Sequence, residues 1–309
     1  MLDRRLLFVT GKGGVGKTTI AAALAVLAAQ QGKRVLVCEV DAKGDLAEVL
    51  ETAPTSFEAR EVQPGVFAMT MDTEASLREY LRLQVRIPLL ARIGPLARTF
   101  DFLANAAPGV KEIVTVGKFA WEVKQRHYDL VVVDAPATGH IVGQLNAPQA
   151  INDLVQVGLI REQTGWMLEI LRNPATTGVV IVAAPEEMPV TESLELIERL
   201  EETEVDVAGV IVNRVLPELF GRGEEALFDL LASPERRAAL GDAVGGDVGP
   251  ILDAAELAVT LRRTRAGHLQ TLRAGLTKVD LLYLPEIFAR STGLRFTRQV
   301  AEALDEELA

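Results

Sequence analysis

Short apolar runs rich in Val, Ile and Leu recur along the chain, at 5–9, 34–40, 66–70, 129–134, 178–184, 207–213 and 278–284. Several are near-continuous rather than alternating. Such a run suits a strand buried on both faces, as in a parallel sheet covered by helices. Helical patterns separate the runs, for example at 18–31 and 190–202. Strand–helix alternation of this kind predicts an α/β fold with a doubly wound, mostly parallel sheet.

Two intervals are too long for simple crossovers. Residues 73–128 read as helices broken at Pro88, at Gly94 and Pro95, and at Pro108 and Gly109. Residues 140–176 also read as helical, with breaks near Pro148 and at Asn173 and Pro174. The two insertions are expected to pack together as a helical lobe on one end of the sheet, within a single domain spanning 1–309. Residues 215–255 are mixed and include a flexible-looking stretch, LGDAVGGDVGP. No repeat of fixed period is visible.

Composition narrows the classes. A hydrophobic content of 49% excludes a disordered chain, and 25 Gly with 14 Pro excludes a collagen-like one. Lys+Arg 32 against Asp+Glu 43 gives a net charge of −11, which argues against a nucleic-acid coat. The single cysteine, Cys38, lies in RVLVCEV and reads as a small buried hydrophobe. One cysteine allows neither an internal disulfide framework nor a multi-cysteine metal site, and a reducing compartment fits. The apolar stretch before the first Gly-rich turn is too short for a signal peptide. The longest apolar run, 20–29, is about half of the roughly 20 residues a membrane span needs. The expected location is cytoplasmic, with peripheral membrane association left open.

The first strand runs directly into TGKGGVGKTT and then into a long Ala/Leu-rich helix. This is GxxxxGK[ST], with Gly11, Gly16, Lys17 and Thr18 in the defining positions. Glycines let successive backbone N–H groups point at phosphate oxygens, and the helix N-terminus adds partial positive charge. Lys17 supplies a full charge to the β- and γ-phosphates, and the Thr18 hydroxyl suits Mg²⁺. Lys12 opens the loop; spacing alone does not choose between a solvated lysine and a working one.

Two strands end in carboxylates, in VCEVDAKGDL and LVVVDAPATGH. Ligands bind at that edge of such sheets. Asp134 follows four apolar residues and reads as a Walker-B-type carboxylate supporting Mg²⁺, a turn aspartate being the plainer alternative. Asp41 is the candidate to orient the attacking water or accept its proton, with Glu39 and Asp45 as neighbouring carboxylates. Residues 135–140 have the makings of a switching loop, in which the Gly139 N–H is a candidate γ-phosphate sensor. His140 reads as a plain loop histidine.

GKGGVGKTT, VDAKGDLAEVL and DAPATGH together resemble the ArsA family, which includes arsenite-pump ATPases and targeting ATPases for tail-anchored membrane proteins. APGVKE at 107–112, APEEMPVTES at 184–193, VNR at 212–214 and LYLPEI at 282–287 extend the likeness. The resemblance implies a P-loop NTPase fold of the deviant Walker A class, in which two subunits sandwich the nucleotide. It implies that Gly13, Gly14, Val15, Gly16, Lys17, Thr18 and Thr19 cradle the phosphates of ATP. Lys12 then reaches across the dimer as a charge clamp. Asn213 hydrogen-bonds the adenine, Pro285 lines the base pocket, and Glu186 contacts the opposite subunit's nucleotide. The family's first switch often reads Asp-Pro-Ala-His-Asn-Leu, so DAKGDL implies a loop that closes differently. One cysteine excludes both the Cys-x-x-Cys zinc clasp of eukaryotic members and the thiol site of arsenite pumps. A length of 309 residues corresponds to one ATPase unit rather than the pump's fused pair.

The charge is uneven. Residues 185–206 carry nine acids and one base, a run that reads as a solvated helix face. Residues 74–98 carry Arg78, Arg82, Arg86, Arg92 and Arg98 against Glu74 and Glu79, beside an apolar stripe of Leu77, Leu81, Val85 and Leu89. This is a basic amphipathic helix in the lobe where the resemblance places clients.

The expected function is therefore a Mg²⁺-dependent ATPase that dimerises across its nucleotide, as a homodimer or with a paralogous subunit. It is expected to couple lobe movement to a hydrophobic or membrane-associated client, without nucleic acid. Two alternatives stand beside it: a nucleotide-gated regulatory subunit with weak turnover, and a ParA/MinD-like positioning ATPase. The acidic balance and the acidic segment FTRQVAEALDEELA disfavour the last.

Overall fold

All seven apolar runs overlap a strand. In chain order the elements are β1 (Leu6–Gly11), α1 (Lys17–Gln30), β2 (Val35–Glu39), α2 (Asp45–Val49), β3 (Arg60–Gln63), β4 (Val66–Thr70), α3 (Thr73–Gln84), α4 (Val110–Gln125) and β5 (Leu130–Asp134). There follow α5 (Thr138–Leu154), α6 (Leu159–Leu171), β6 (Thr177–Ala183), α7 (Glu187–Glu201), β7 (Val207–Val215), α8 (Arg222–Leu231), α9 (Pro234–Val244), α10 (Gly249–Gly275), β8 (Leu281–Pro285) and α11 (Leu294–Leu308). The computed structural model describes residues 1–41, 43–84, 109–155, 157–218, 221–231, 233–276, 278–289 and 292–309.

The strands form one sheet in the order β3-β4-β2-β5-β1-β6-β7-β8. Every pairing is parallel except β3 with β4. β3 is the strand the apolar pattern does not announce. Its sequence, REVQ, is polar and short, and it forms an edge hairpin with β4 around Gly65 rather than a buried crossover strand.

Helices cover both faces. On one, α1 lies between the sheet and α11. It is apolar all round, with Ile20 to Ala28 buried, which is the composition a helix needs when it has neighbours on both sides. On the other face pack α4, α5, α7 and α10, and Phe8 of β1 meets Phe119 of α4 edge-to-face at 6.2 Å. The order changes direction around β1, whose carboxyl end therefore opens into a crevice.

The described parts of the two insertions do pack together: α3 against α4, α4 against α5 and α6, and α5 against α6. Two expectations change. Pro148 does not break a helix; α5 runs through it, because Ile141, Leu145, Ala147 and Pro148 itself are buried against the core. That burial outweighs one missing backbone hydrogen bond. The break comes instead between Leu154 and Leu159, where Gly158 adopts a positive φ of 95°. The stretch LGDAVGGDVGP is the end of α9, a turn at Gly245 and the start of α10. The breaks at Pro88, Gly94, Pro95 and Pro108, and the stripe residues Val85, Arg86, Leu89, Arg92 and Arg98, lie outside the described residues.

Candidate functional site

The loop joining β1 to α1 is fixed at both ends. A side chain at Gly11 would collide with the Val182 carbonyl oxygen of β6. Gly16 caps α1 in the left-handed region, and a Cβ there would sit 2.6 Å from the Asn213 amide nitrogen. Val15 is buried and anchors the loop, whereas Gly13 and Gly14 are exposed. Lys17, Thr18 and Thr19 form the first turn of α1, where the helix's own amides lack partners. The Lys17 ammonium donates to the Lys12 carbonyl at 3.3 Å. Burial pulls its pKa below the usual lysine value, with Asp134 and Asp41 opposing that shift and Lys43 adding to it. A partly desolvated cation among free amides is a site that an anion would stabilise.

The two carboxylate strand ends are neighbours, Glu39 of β2 lying in register with Asp134 of β5. Their environments differ. Asp134 is 7% exposed and accepts a hydrogen bond from the Thr18 hydroxyl at 2.7 Å. Burial lifts its pKa from 3.8 to about 6, against the pull of Thr18 and Lys17, with Glu39 and Asp45 adding to the rise. Glu39 is occupied structurally, accepting from the backbone N–H of Gly44 at 3.2 Å and of Asp45 at 3.0 Å. It thereby caps α2 and holds the backbone of Gly44 and Asp45 at its start. Asp41 stands exposed just beyond β2.

The remaining candidates divide. Asn213, at the end of β7, donates its side-chain amide to the Val15 carbonyl at 2.9 Å and accepts from the Arg214 N–H at 2.9 Å. It braces the phosphate loop as well as standing at the sheet edge. Pro285 is exposed at the end of β8, in register with Val215. A groove of about 460 Å³ lies beyond these strand ends, lined by Leu216, α10 and Phe288, but by neither Asn213 nor Pro285. Glu186 is exposed at the N-cap of α7. The switching loop is shorter than expected: Thr138, Gly139 and His140 already belong to α5, leaving 135–137 irregular. The Thr10 hydroxyl ties this segment to β1 through the Pro136 carbonyl at 2.7 Å.

Lys12 pairs with Glu192 of α7 in the same chain, and the second oxygen of Glu192 accepts from the Thr138 hydroxyl at 2.9 Å. The acidic run is therefore not a uniformly solvated face. Glu192 meets Lys12, Glu204 meets Arg172 and Asp206 meets Arg4. Periodicity carries a signal for Glu192: it lies three residues after Pro189 and four before Leu196, both buried, so it borders the core-facing stripe. What it meets there is 180 residues away in sequence and has no local signature.

The sequence model of the anion-transporting ATPase family matches residues 4–168 and 156–223, spanning the loop, both carboxylate strand ends, the lobe and Asn213. The chain belongs to this family. Among relatives, it is 34% identical to the ATPase BagA of Mycobacterium tuberculosis over 69% of this chain and 66% of that protein. It is 28% identical to the ATPase get3 of Schizosaccharomyces japonicus over 68% of this chain and 74% of that protein. It is 29% identical to an arsenical pump-driving ATPase of Acidiphilium multivorum over 74% of this chain and 41% of that protein. The match thus spans just under two thirds of the mycobacterial relative's length. Among the described residues of this family member, no helix is long and apolar enough to cross a membrane.

Proposed function

We propose that this member of the anion-transporting ATPase family is a Mg²⁺-dependent ATPase that works as a pair of subunits facing each other across their nucleotides. The observation that carries this reading is the convergence, at one sheet edge, of the loop amides, Lys17 and the Thr18–Asp134 pair. The donor set fits Mg²⁺: a hydroxyl 2.7 Å from a buried carboxylate whose charge lacks full compensation. Thr18 would hold the ion directly, and Asp134 would support it through its water shell. The chemistry supplied by bound Mg²⁺ is neutralisation of charge on the β- and γ-phosphate oxygens.

The chain's own groups do the rest. Gly13 to Thr19 bind the phosphates through backbone amides, and Lys17 places a full charge beside them. The Gly139 amide, in the first turn of α5, senses the γ-phosphate. Asp41 orients the attacking water and takes its proton; its exposure leaves it free to meet a nucleotide arriving from solvent. Lys12 completes the charge clamp on the partner's nucleotide. Asn213 reaches the adenine with the amide hydrogen that its Val15 bond leaves over, Pro285 borders the base, and Glu186 contacts the opposite subunit.

The lobe is the output side of a single unit spanning 1–309. It contains a cavity of about 260 Å³ with Ile113, Trp121, Ile160, Trp166 and Met167 among its lining residues. The apolar cavity between these helices supports a hydrophobic or membrane-associated client, handled from the cytoplasm, and movement of the lobe would couple it to nucleotide state.

The test is a pair of variants. Lys17→Ala is expected to weaken binding of a fluorescent ATP analogue by about 100-fold. Asp41→Asn should bind the analogue normally and lose turnover. ATP hydrolysis at the wild-type rate in both variants overturns the proposal.

A further inference from the structure

Lys12 has two demands on one ammonium group. The proposed function sends it across to a partner's phosphates. In this chain it is neutralised at home by Glu192. The pair is neither deeply buried nor free, with side-chain exposures of 31% for Lys12 and 25% for Glu192. Seven other acids of the run, Glu186, Glu187, Glu195, Glu198, Glu201, Glu202 and Glu204, are exposed. Glu192 alone of the α7 acids turns into the crevice, and it does so with both carboxylate oxygens engaged.

Its second partner matters as much as the first. Thr138 opens α5, directly before Gly139 and three residues after the irregular segment begins. One carboxylate therefore joins the first lysine of the phosphate loop to the helix whose first turn faces the γ-phosphate. The same contacts hold the Glu192 carboxyl below the usual carboxylate range, the Lys12 bond contributing most. The Thr10–Pro136 bond pins the segment before α5 to the end of β1, while the first residue of α5 is itself bonded to Glu192, so a shift at the start of α5 acts on Glu192 directly.

We infer that Glu192 is a cis latch on Lys12: it holds the lysine within its own subunit until nucleotide draws the start of α5, and then yields it to the triphosphate of a second copy. This rests on the reading of Lys12 as a group that acts in trans. The exchange is favourable because a triphosphate offers several charged oxygens where Glu192 offers one. It makes pairing of subunits conditional on nucleotide, since an unliganded subunit keeps its clamp satisfied.

The test is sedimentation velocity over a range of protein concentrations, with Mg²⁺ and a non-hydrolysable ATP analogue. Glu192→Gln keeps the shape of the side chain and removes the ion pair. It should pair at roughly fivefold lower protein concentration than wild type, the scale expected for a partly exposed ion pair. Thr138→Val should shift pairing in the same direction by less. Analogue binding by the isolated subunit at low concentration should be unchanged in both, and melting temperatures serve as the check on folding. A Glu192→Gln protein that pairs as wild type does, pairs less well, or loses analogue binding overturns the latch. Wild-type protein that binds the analogue without ever pairing removes the trans role of Lys12, and the latch with it. Wild-type protein that does not bind the analogue overturns the ATPase reading itself.

Discussion

In the phosphate loop a single added methyl group has nowhere to go: at Gly11 it meets a strand carbonyl, and at Gly16 the Asn213 amide. In the lobe, by contrast, four helices leave a cavity of about 260 Å³ between them. At Gly117, on its wall, an added Cβ meets, among the described residues, only the far end of the flexible Met167 side chain. The first region is over-determined and the second is slack. Pre-organisation serves the binding of a fixed, rigid group such as a polyphosphate. Unfilled apolar volume serves a partner of variable shape, and has a cost in packing that the sheet does not share.

The comparison can be broken from either side. The largest effect is expected at Asp134. Asp134→Asn should reduce turnover by about 100-fold or more while stabilising the nucleotide-free protein. The sign follows from the raised pKa: the folded value, about 6, exceeds the ordinary 3.8. The folded carboxyl's proton is favourable at low pH, and that contribution is lost as pH rises through about 6. The asparagine variant should therefore gain about 2 kcal/mol over wild type at pH 8 and much less at pH 4, measured by urea unfolding. Equal gains at both pH values would show that the carboxylate is not strained.

A smaller effect is expected at Gly16. Alanine there must take a left-handed conformation and displace Asn213, for about 1–2 kcal/mol of stability by the same assay. A neutral result would mean that the loop is not over-determined. The smallest effect belongs to the lobe. Gly117→Leu should fill the cavity and weaken binding of an apolar fluorescent probe by about tenfold, with ATP-analogue binding unchanged. Wild-type probe binding would place the slack elsewhere.

The sequence is most readable where one residue type does one local job. Seven strands, the loop glycines and the Thr18–Asp134 meeting follow from apolar runs and a motif whose parts are close in sequence or fixed by sheet order. β3 escapes notice because a polar edge strand has no apolar run. Pro148 misleads because local backbone chemistry there is overruled by burial. Glu192 and the bracing role of Asn213 are invisible locally, since their partners lie 180 and 198 residues away. Glu39 looks like a rival to Asp41 until its carboxylate is seen holding the backbone of residues 44 and 45.

The helix that follows the phosphate loop has one further consequence, for the order of events during synthesis. α1 is apolar on every side, and α11 supplies one of its two covers. The contact reaches as far as Gln31 and Asp305, 274 positions apart. While a ribosome is still making the stretch between them, α1 has only the sheet to lie on and shows its other side to water. The loop that would grip a nucleotide is thus translated long before the helix behind it is covered on both sides. Until α11 docks, the emerging chain exposes an adhesive Ala/Leu surface of the kind that chaperones hold.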